Sequence, residues 1–135
     1  MNGHLFLDAS FWIAYRDERQ DFHAQSQRIL SEIFRRRLHF VTTLPVLCEI
    51  HAHFSRNEKK KKIILRDFDS NPLVQLESVA HADQQAAFEL LRRHADKTYS
   101  LCDAISFVVI ERLGLKQAIS FDDHFRQFGK FEICS

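Results

Sequence analysis

Glycine and proline are scarce, three and two in 135 residues. That excludes a collagen-like or linker-rich chain and speaks against an all-β protein with many tight turns. Cysteine is sparse as well. Cys48, Cys102 and Cys134 are odd in number and far apart, with no Cys-x-x-Cys pair, so neither a disulfide framework nor a zinc knuckle is expected and all three read as core thiols. Neither sign of charge dominates: nineteen Lys+Arg face eighteen Asp+Glu, a net charge of +1, which excludes a histone-like or acidic-tail protein. No uninterrupted apolar run approaches the ~20 residues of a membrane span. Too few apolar residues precede Asp8 for a signal peptide, so a cytoplasmic protein is expected. What is abundant is core material, with 45% hydrophobic residues and thirteen Phe. A single domain over residues 1–135 follows from that length and composition.

Short apolar runs and helical patterns alternate along the chain. His4–Asp8 reads as a strand ending on a carboxylate, with Ser10 as N-cap of a helix from Phe11 to Arg16. A second helix is expected from Asp21 to Arg37, with Phe22, Ile29, Ile33 and Phe34 inward, then a strand over Leu38–Thr42. Thr43 and Pro45 open a helix whose stripe is Leu44, Leu47, Ile50, His51 and Phe54. A basic amphipathic helix begins at Glu58 and is stopped by Asn71-Pro72, and Leu73–Leu76 alternates as a strand. Helices are expected over His81–His94, with Ala86, Ala87, Leu90 and Leu91 inward, and over Ser100–Leu113, closed by Gly114. Strands over Gln117–Phe121 and Phe131–Cys134 enclose a short helix from Asp122 to Gln127. This alternation predicts an α/β sandwich in which helices flank a mainly parallel central sheet.

Four acids abut apolar segments: Asp8, Glu49, Asp103 and Asp122. Each has a local explanation. Asp8 suits a helix cap, Ser100-x-x-Asp103 has the form of a capping box, and Asp122 and Asp123 are alternative caps. Glu49 falls on the polar side of its helix beside His53 and Arg56, as a solvated residue would. Ligands of open parallel sheets gather beyond the carboxyl ends of strands, the rim on which Asp8 and Asp122 lie. Carboxylates gathered within ~4 Å repel by about 4 kcal/mol per pair at an effective dielectric of 20. Such a cluster takes up protons or holds a cation, and an all-oxygen site suits Mg²⁺ or Mn²⁺.

Leu5-Phe6-Leu7-Asp8-Ala9-Ser10 resembles the opening motif of PIN-domain nucleases. Ser100-Leu101-Cys102-Asp103-Ala104-Ile105-Ser106-Phe107 is similar to their third-acid motif, and Ala118-Ile119-Ser120-Phe121-Asp122-Asp123-His124-Phe125 to their final one. The family's second acid would be Glu49, and by length the VapC-like toxins of toxin–antitoxin pairs are the nearest kin. The resemblance implies a PIN-like three-layer α/β sandwich and a metal-dependent endoribonuclease. Asp8, Glu49, Asp103 and Asp122 would be catalytic, and Asp8, Asp103 and Asp122 would bind Mg²⁺ or Mn²⁺. Aligning Ser120 and Phe125 on the motif selects Asp122, with Asp123 in reserve. Ser10, Ser100 and Ser120 would be donors orienting the carboxylates. A homodimer and a small antitoxin partner are further implications, as is an RNA substrate. A nuclease of RNA processing without an antitoxin, or an inactive PIN-like RNA- or protein-binding module, are the competing readings.

Arg56, Lys59 and Lys60 are candidate phosphate contacts, although basic runs on amphipathic helices are ordinarily solvated faces. Among eight histidines no pair is spaced to share a metal on a helix, and none is required to activate water. Phe125, Phe128 and Phe131 read as core or dimer contacts.

Overall fold

The computed structural model describes residues 2–134. Strand β1 (His4–Leu7) leads into helices α1 (Ala9–Arg16) and α2 (His23–Arg35), then β2 (His39–Thr43), α3 (Leu44–His53), α4 (Glu58–Asp69) and β3 (Val74–Glu77). Helices α5 (His81–Arg93) and α6 (Leu101–Leu113) precede β4 (Gln117–Ile119), α7 (Asp123–Phe128) and β5 (Glu132–Cys134). The five strands form one sheet in the order β3-β2-β1-β4-β5. Every pairing is parallel, so the expected "mainly parallel" sheet is wholly so among the described residues.

The strand order places the site. From β1 the chain steps outward to β2 and β3, then crosses back to β4 on the other side of β1. Right-handed crossovers that run in opposite directions put their helices on opposite faces. Accordingly α1 packs with α2 and α3 and α3 with α4, while α5 packs with α6 and α6 with α7; α3 and α6 also touch. The order reverses between β1 and β4, and a crevice opens there beyond the strand ends. The Asp8 N–H donates to the Ile119 carbonyl at 3.1 Å and ties those two ends together.

Phe6, Phe11, Phe40, Phe107 and Phe125 are fully buried beside Leu5, Leu7, Val41 and Ile119. Phe107 stacks on Phe128 with centroids 4.2 Å apart, and Phe125 and Phe131 close on the same ring, so these residues belong to the core. Gly114 ends α6 at φ 66°, a left-handed conformation that a Cβ disfavours.

Several details depart from expectation. Asp8, not Ser10, caps α1, because its carboxylate accepts from the Ser10 N–H two residues ahead. Phe22 and Phe34 are exposed, while Ser26, Leu30 and Ile33 face the core. In α3 the inward residues are Val46 and Ile50, and Leu44 is exposed. Ala86 is exposed on α5, where Asp83 turns inward to meet Arg112. Cys48 is exposed and Cys102 half-buried, so neither is a fully enclosed core thiol; the Cys134 side chain lies outside the described residues.

Candidate active site

Asp8 directly follows Leu7, the last residue of β1, and is 4% exposed. Its Oδ2 accepts from the Ser10 hydroxyl at 2.6 Å, the Ser120 hydroxyl at 2.7 Å and the Ser10 N–H at 3.3 Å. Each serine also accepts a backbone N–H from the segment that follows β4: Phe121 N–H to Ser10 Oγ and Asp122 N–H to Ser120 Oγ, both at 2.9 Å. The two hydroxyls therefore relay the position of the β4–α7 loop to the Asp8 carboxylate.

Asp103 stands in the first turn of α6, held by a reciprocal capping box. Its N–H donates to Ser100 Oγ, and the Ser100 N–H donates to its Oδ2, both at 3.0 Å. Ser100 thus orients Asp103 through its backbone N–H, and its hydroxyl accepts rather than donating to the carboxylate. Asp122 caps α7, accepting the His124 N–H on Oδ1 at 2.9 Å.

His124 joins these two acids. Its Nδ1 lies 2.7 Å from Asp103 Oδ2 and 3.6 Å from Asp122 Oδ1, and its Nε2 lies 3.0 Å from Thr98 Oγ1. The tautomer that satisfies both hydrogen bonds carries its proton on Nδ1 and accepts the Thr98 hydroxyl on Nε2. One ligand atom from each of Asp103, Asp122 and His124 lies within 4.8 Å of the others; with both ring nitrogens of His124 engaged, the carboxylates are the groups left to hold an ion. No histidine partner at metal-sharing spacing marks His124 in the sequence. The usable signal was Asp-x-His at a helix start, where the acid takes the cap and the first turn brings the imidazole beside it.

Glu49 projects from α3 toward the same place, exposed at the rim. Burial of part of its carboxyl raises its pKa, the Cys102 thiol opposes that by hydrogen bonding, and Asp103 and Asp122 add to the rise. The polar face assigned to Glu49 from its helical position is therefore a face turned to the acids. Burial also pushes the Cys102 thiol well up, with the Glu49 charge second, so it is held as a thiol. Asp8 is pushed up to about 6 by burial; the Ser10 and Ser120 donors lower it, and Asp122 and Asp103 raise it again. Asp123 is exposed, and it is Asp122 whose charge reaches both Asp8 and Glu49.

Five aspartates are buried: Asp8, Asp17, Asp67, Asp83 and Asp103. Three are neutralised structurally, with both oxygens engaged. Asp67 receives Arg16 and the Trp12 indole N–H, Asp83 receives Arg112 and the Ala80 N–H, and Asp17 receives Arg19, Gln20 and His53. Asp8 and Asp103 are different. Among the described residues no Lys or Arg pairs with either, nor with Glu49 or Asp122. Asp8 and Asp103 take their protein donors on Oδ2 and Asp122 on Oδ1, leaving the second oxygen of each without one. Unpaired acids with one oxygen anchored and one open fit a hard divalent cation.

The basic candidates lie elsewhere. Lys60 donates to Glu18 at 2.9 Å and to the Arg16 carbonyl. Asp17 caps the far end of α1, roughly 13 Å from Asp8 at 1.5 Å per residue, and Arg56 and Lys60 line the hollow around it. Arg56 and Lys59 are exposed.

A family model described as PIN domain matches residues 5–131. The chain is 27% identical over 130 residues to the 23S rRNA-specific endonuclease VapC20 of Mycobacterium tuberculosis, covering 96% of this chain and 97% of that one. The crystal structure of VapC20, described as a Sarcin-Ricin loop cleaving toxin, superposes with a TM-score of 0.87 over 97% of this chain and 99% of the other. VapBC2 of Rickettsia felis and FitAcB of Neisseria gonorrhoeae share the fold, each with a TM-score of 0.66 at 12% identity. They cover 97% of this chain, and 97% and 96% of their own. Among the described residues no helix is long and apolar enough to cross a membrane.

Proposed function

Because this chain belongs to the PIN-domain family, we propose that it is a metal-dependent endoribonuclease and the toxin of a toxin–antitoxin pair. The observation that carries the reading is the contrast among the buried acids. Where the fold needs a buried carboxylate for structure it supplies an arginine, and at the end of β1 and the start of α6 it does not. Likeness to an endonuclease and toxin over nearly the whole chain supports the rest.

In this reading Asp8, Asp103 and Asp122 are the residues that would hold Mg²⁺ or Mn²⁺. When bound, that ion offsets charge on the phosphate and lowers the pKa of water. Ser10 and Ser120 keep Asp8 turned toward the crevice, and Ser100, His124 and Thr98 keep Asp103 there. Glu49, its proton affinity raised by its surroundings, takes the proton of the attacking water. Arg56 and Lys59 serve as outlying phosphate contacts, while Lys60 is already engaged by Glu18.

The reading extends to partners. Leu44, Leu76, Phe88 and Leu101 are 61%, 41%, 37% and 44% exposed. They line one groove of about 740 Å³ with Val79 and Ile105. An apolar face that supplies both ridge and groove fits a second copy across a two-fold axis. A small antitoxin protein is the partner that such a toxin requires.

The test is cleavage of single-stranded RNA by the parent chain and by Asp103→Asn, with and without Mg²⁺ or Mn²⁺. The parent cleaves only with the ion, and the variant loses at least about 100-fold. Millimolar ion raises the Tm of the parent more than that of the variant, since it binds only the folded state. Equal cleavage by both chains overturns the site.

A further inference from the structure

Phe22 lies just before α2 and is 49% exposed, although its place in the helical pattern points it inward. Its ring is nearly parallel to that of Phe121, with centroids 4.7 Å apart and planes 15° apart. Phe121 in turn stacks on buried Phe11, 5.6 Å and 29° away. Phe121 thus links exposed Phe22 to buried Phe11. With Phe121 against it and 49% of the residue exposed, Phe22 leaves much of its ring surface to solvent.

Phe121 itself belongs to the candidate site. The Phe121 N–H donates to Ser10 Oγ, the hydroxyl that holds Asp8, and the next residue in the chain is Asp122. A half-exposed ring backed by Phe121, which itself precedes Asp122 in the chain, is a platform for another flat π-system. Every nucleobase has such a face, and stacking on it is tolerant of sequence.

We propose that Phe22 is the stacking platform for an unpaired base of the RNA substrate, adjoining the phosphate presented to Asp8, Asp103 and Asp122. The inference rests on the nuclease reading above and deepens it by naming a residue that positions the substrate. Phe22 touches a base and not the reacting atoms, so its loss weakens substrate binding more than turnover. Stacking on an uncharged ring also makes this part of the affinity insensitive to salt, unlike phosphate contacts.

The experiment measures KM and kcat on a single-stranded RNA oligonucleotide for the parent, Phe22→Trp, Phe22→Leu and Phe22→Ala. A series of the same oligonucleotide carries one abasic nucleotide at each position in turn. Expected is a KM about tenfold higher for Phe22→Ala and Phe22→Leu with kcat nearly unchanged, and parent-like KM for Phe22→Trp. One abasic position raises KM for the parent and has no further effect on Phe22→Ala. A KM for Phe22→Ala within twofold of the parent overturns the inference while the nuclease reading stands, and leaves the ring to a protein partner. A Phe22→Leu variant as good as the parent also overturns it, since bulk alone then suffices. If the parent cleaves no RNA with either ion, the nuclease reading fails and this inference falls with it.

Discussion

Asp8 is where folding and chemistry oppose each other most directly. Its pKa is pushed from an ordinary 3.8 up to about 6, chiefly by burial, so without a cation the folded chain binds this proton more tightly than the unfolded one. The stability contribution of that proton is complete below about pH 4 and is lost as pH rises through 6, a difference of roughly 3 kcal/mol. In the presence of a chelator, Asp8→Asn therefore raises Tm at pH 7.5 by several degrees and flattens the profile between about pH 4 and 6. Thermal melts of both chains check this, and a variant less stable than the parent at pH 7.5 would contradict it. At this scale Asp8, Asp103 and Asp122 were legible in the sequence, because each follows or opens an apolar element that fixes its place. His124 was not, since a lone histidine in a first turn carries no periodic signal. Glu49 was legible only through family resemblance, because a helical wheel cannot tell a face turned to water from one turned to other acids.

At the scale of elements, three short junctions meet in the crevice between β1 and β4. The N-termini of α1, α6 and α7 are capped by Asp8, Ser100 and Asp122. A cap and a ligand make the same demand on a carboxylate, a fixed rotamer with one oxygen spent, so capping leaves the second oxygen aimed and open. In the first turn of α7, His124 bridges to Asp103 on α6 and so fixes the spacing of the two helices. His124→Ala is expected to lower cleavage about 10- to 100-fold, with more ion required for half-maximal rate. An ion titration of the cleavage rate tests this, and unchanged ion dependence would leave His124 without a positioning role. The helix and strand order was readable from periodicity and capping residues. Which face of α2 and α3 turns inward was not, because two apolar stripes compete on each and only packing chooses between them.

For the molecule as a whole, the exposed residues Leu44, Leu76, Phe88 and Leu101 are the largest unexplained expense of the monomer. A second copy seated on that face would remove it from water. Phe88→Glu, on α5 and away from the acids, is expected to convert a dimer to a monomer in sedimentation equilibrium while the circular dichroism spectrum is retained. A parent chain that sediments as a monomer at tens of micromolar would exclude the dimer.

By itself the sequence determined the alternation of helix and strand, the parallel sheet that alternation requires, and three acids at element boundaries. Those features are local, set by residues within a few positions of one another. Only the tertiary structure decided which acids lack a lysine or arginine partner, that His124 and Glu49 join them, and that Phe22 packs on Phe121. Each of these depends on residues distant along the chain being brought together, and periodicity holds no information about such distances.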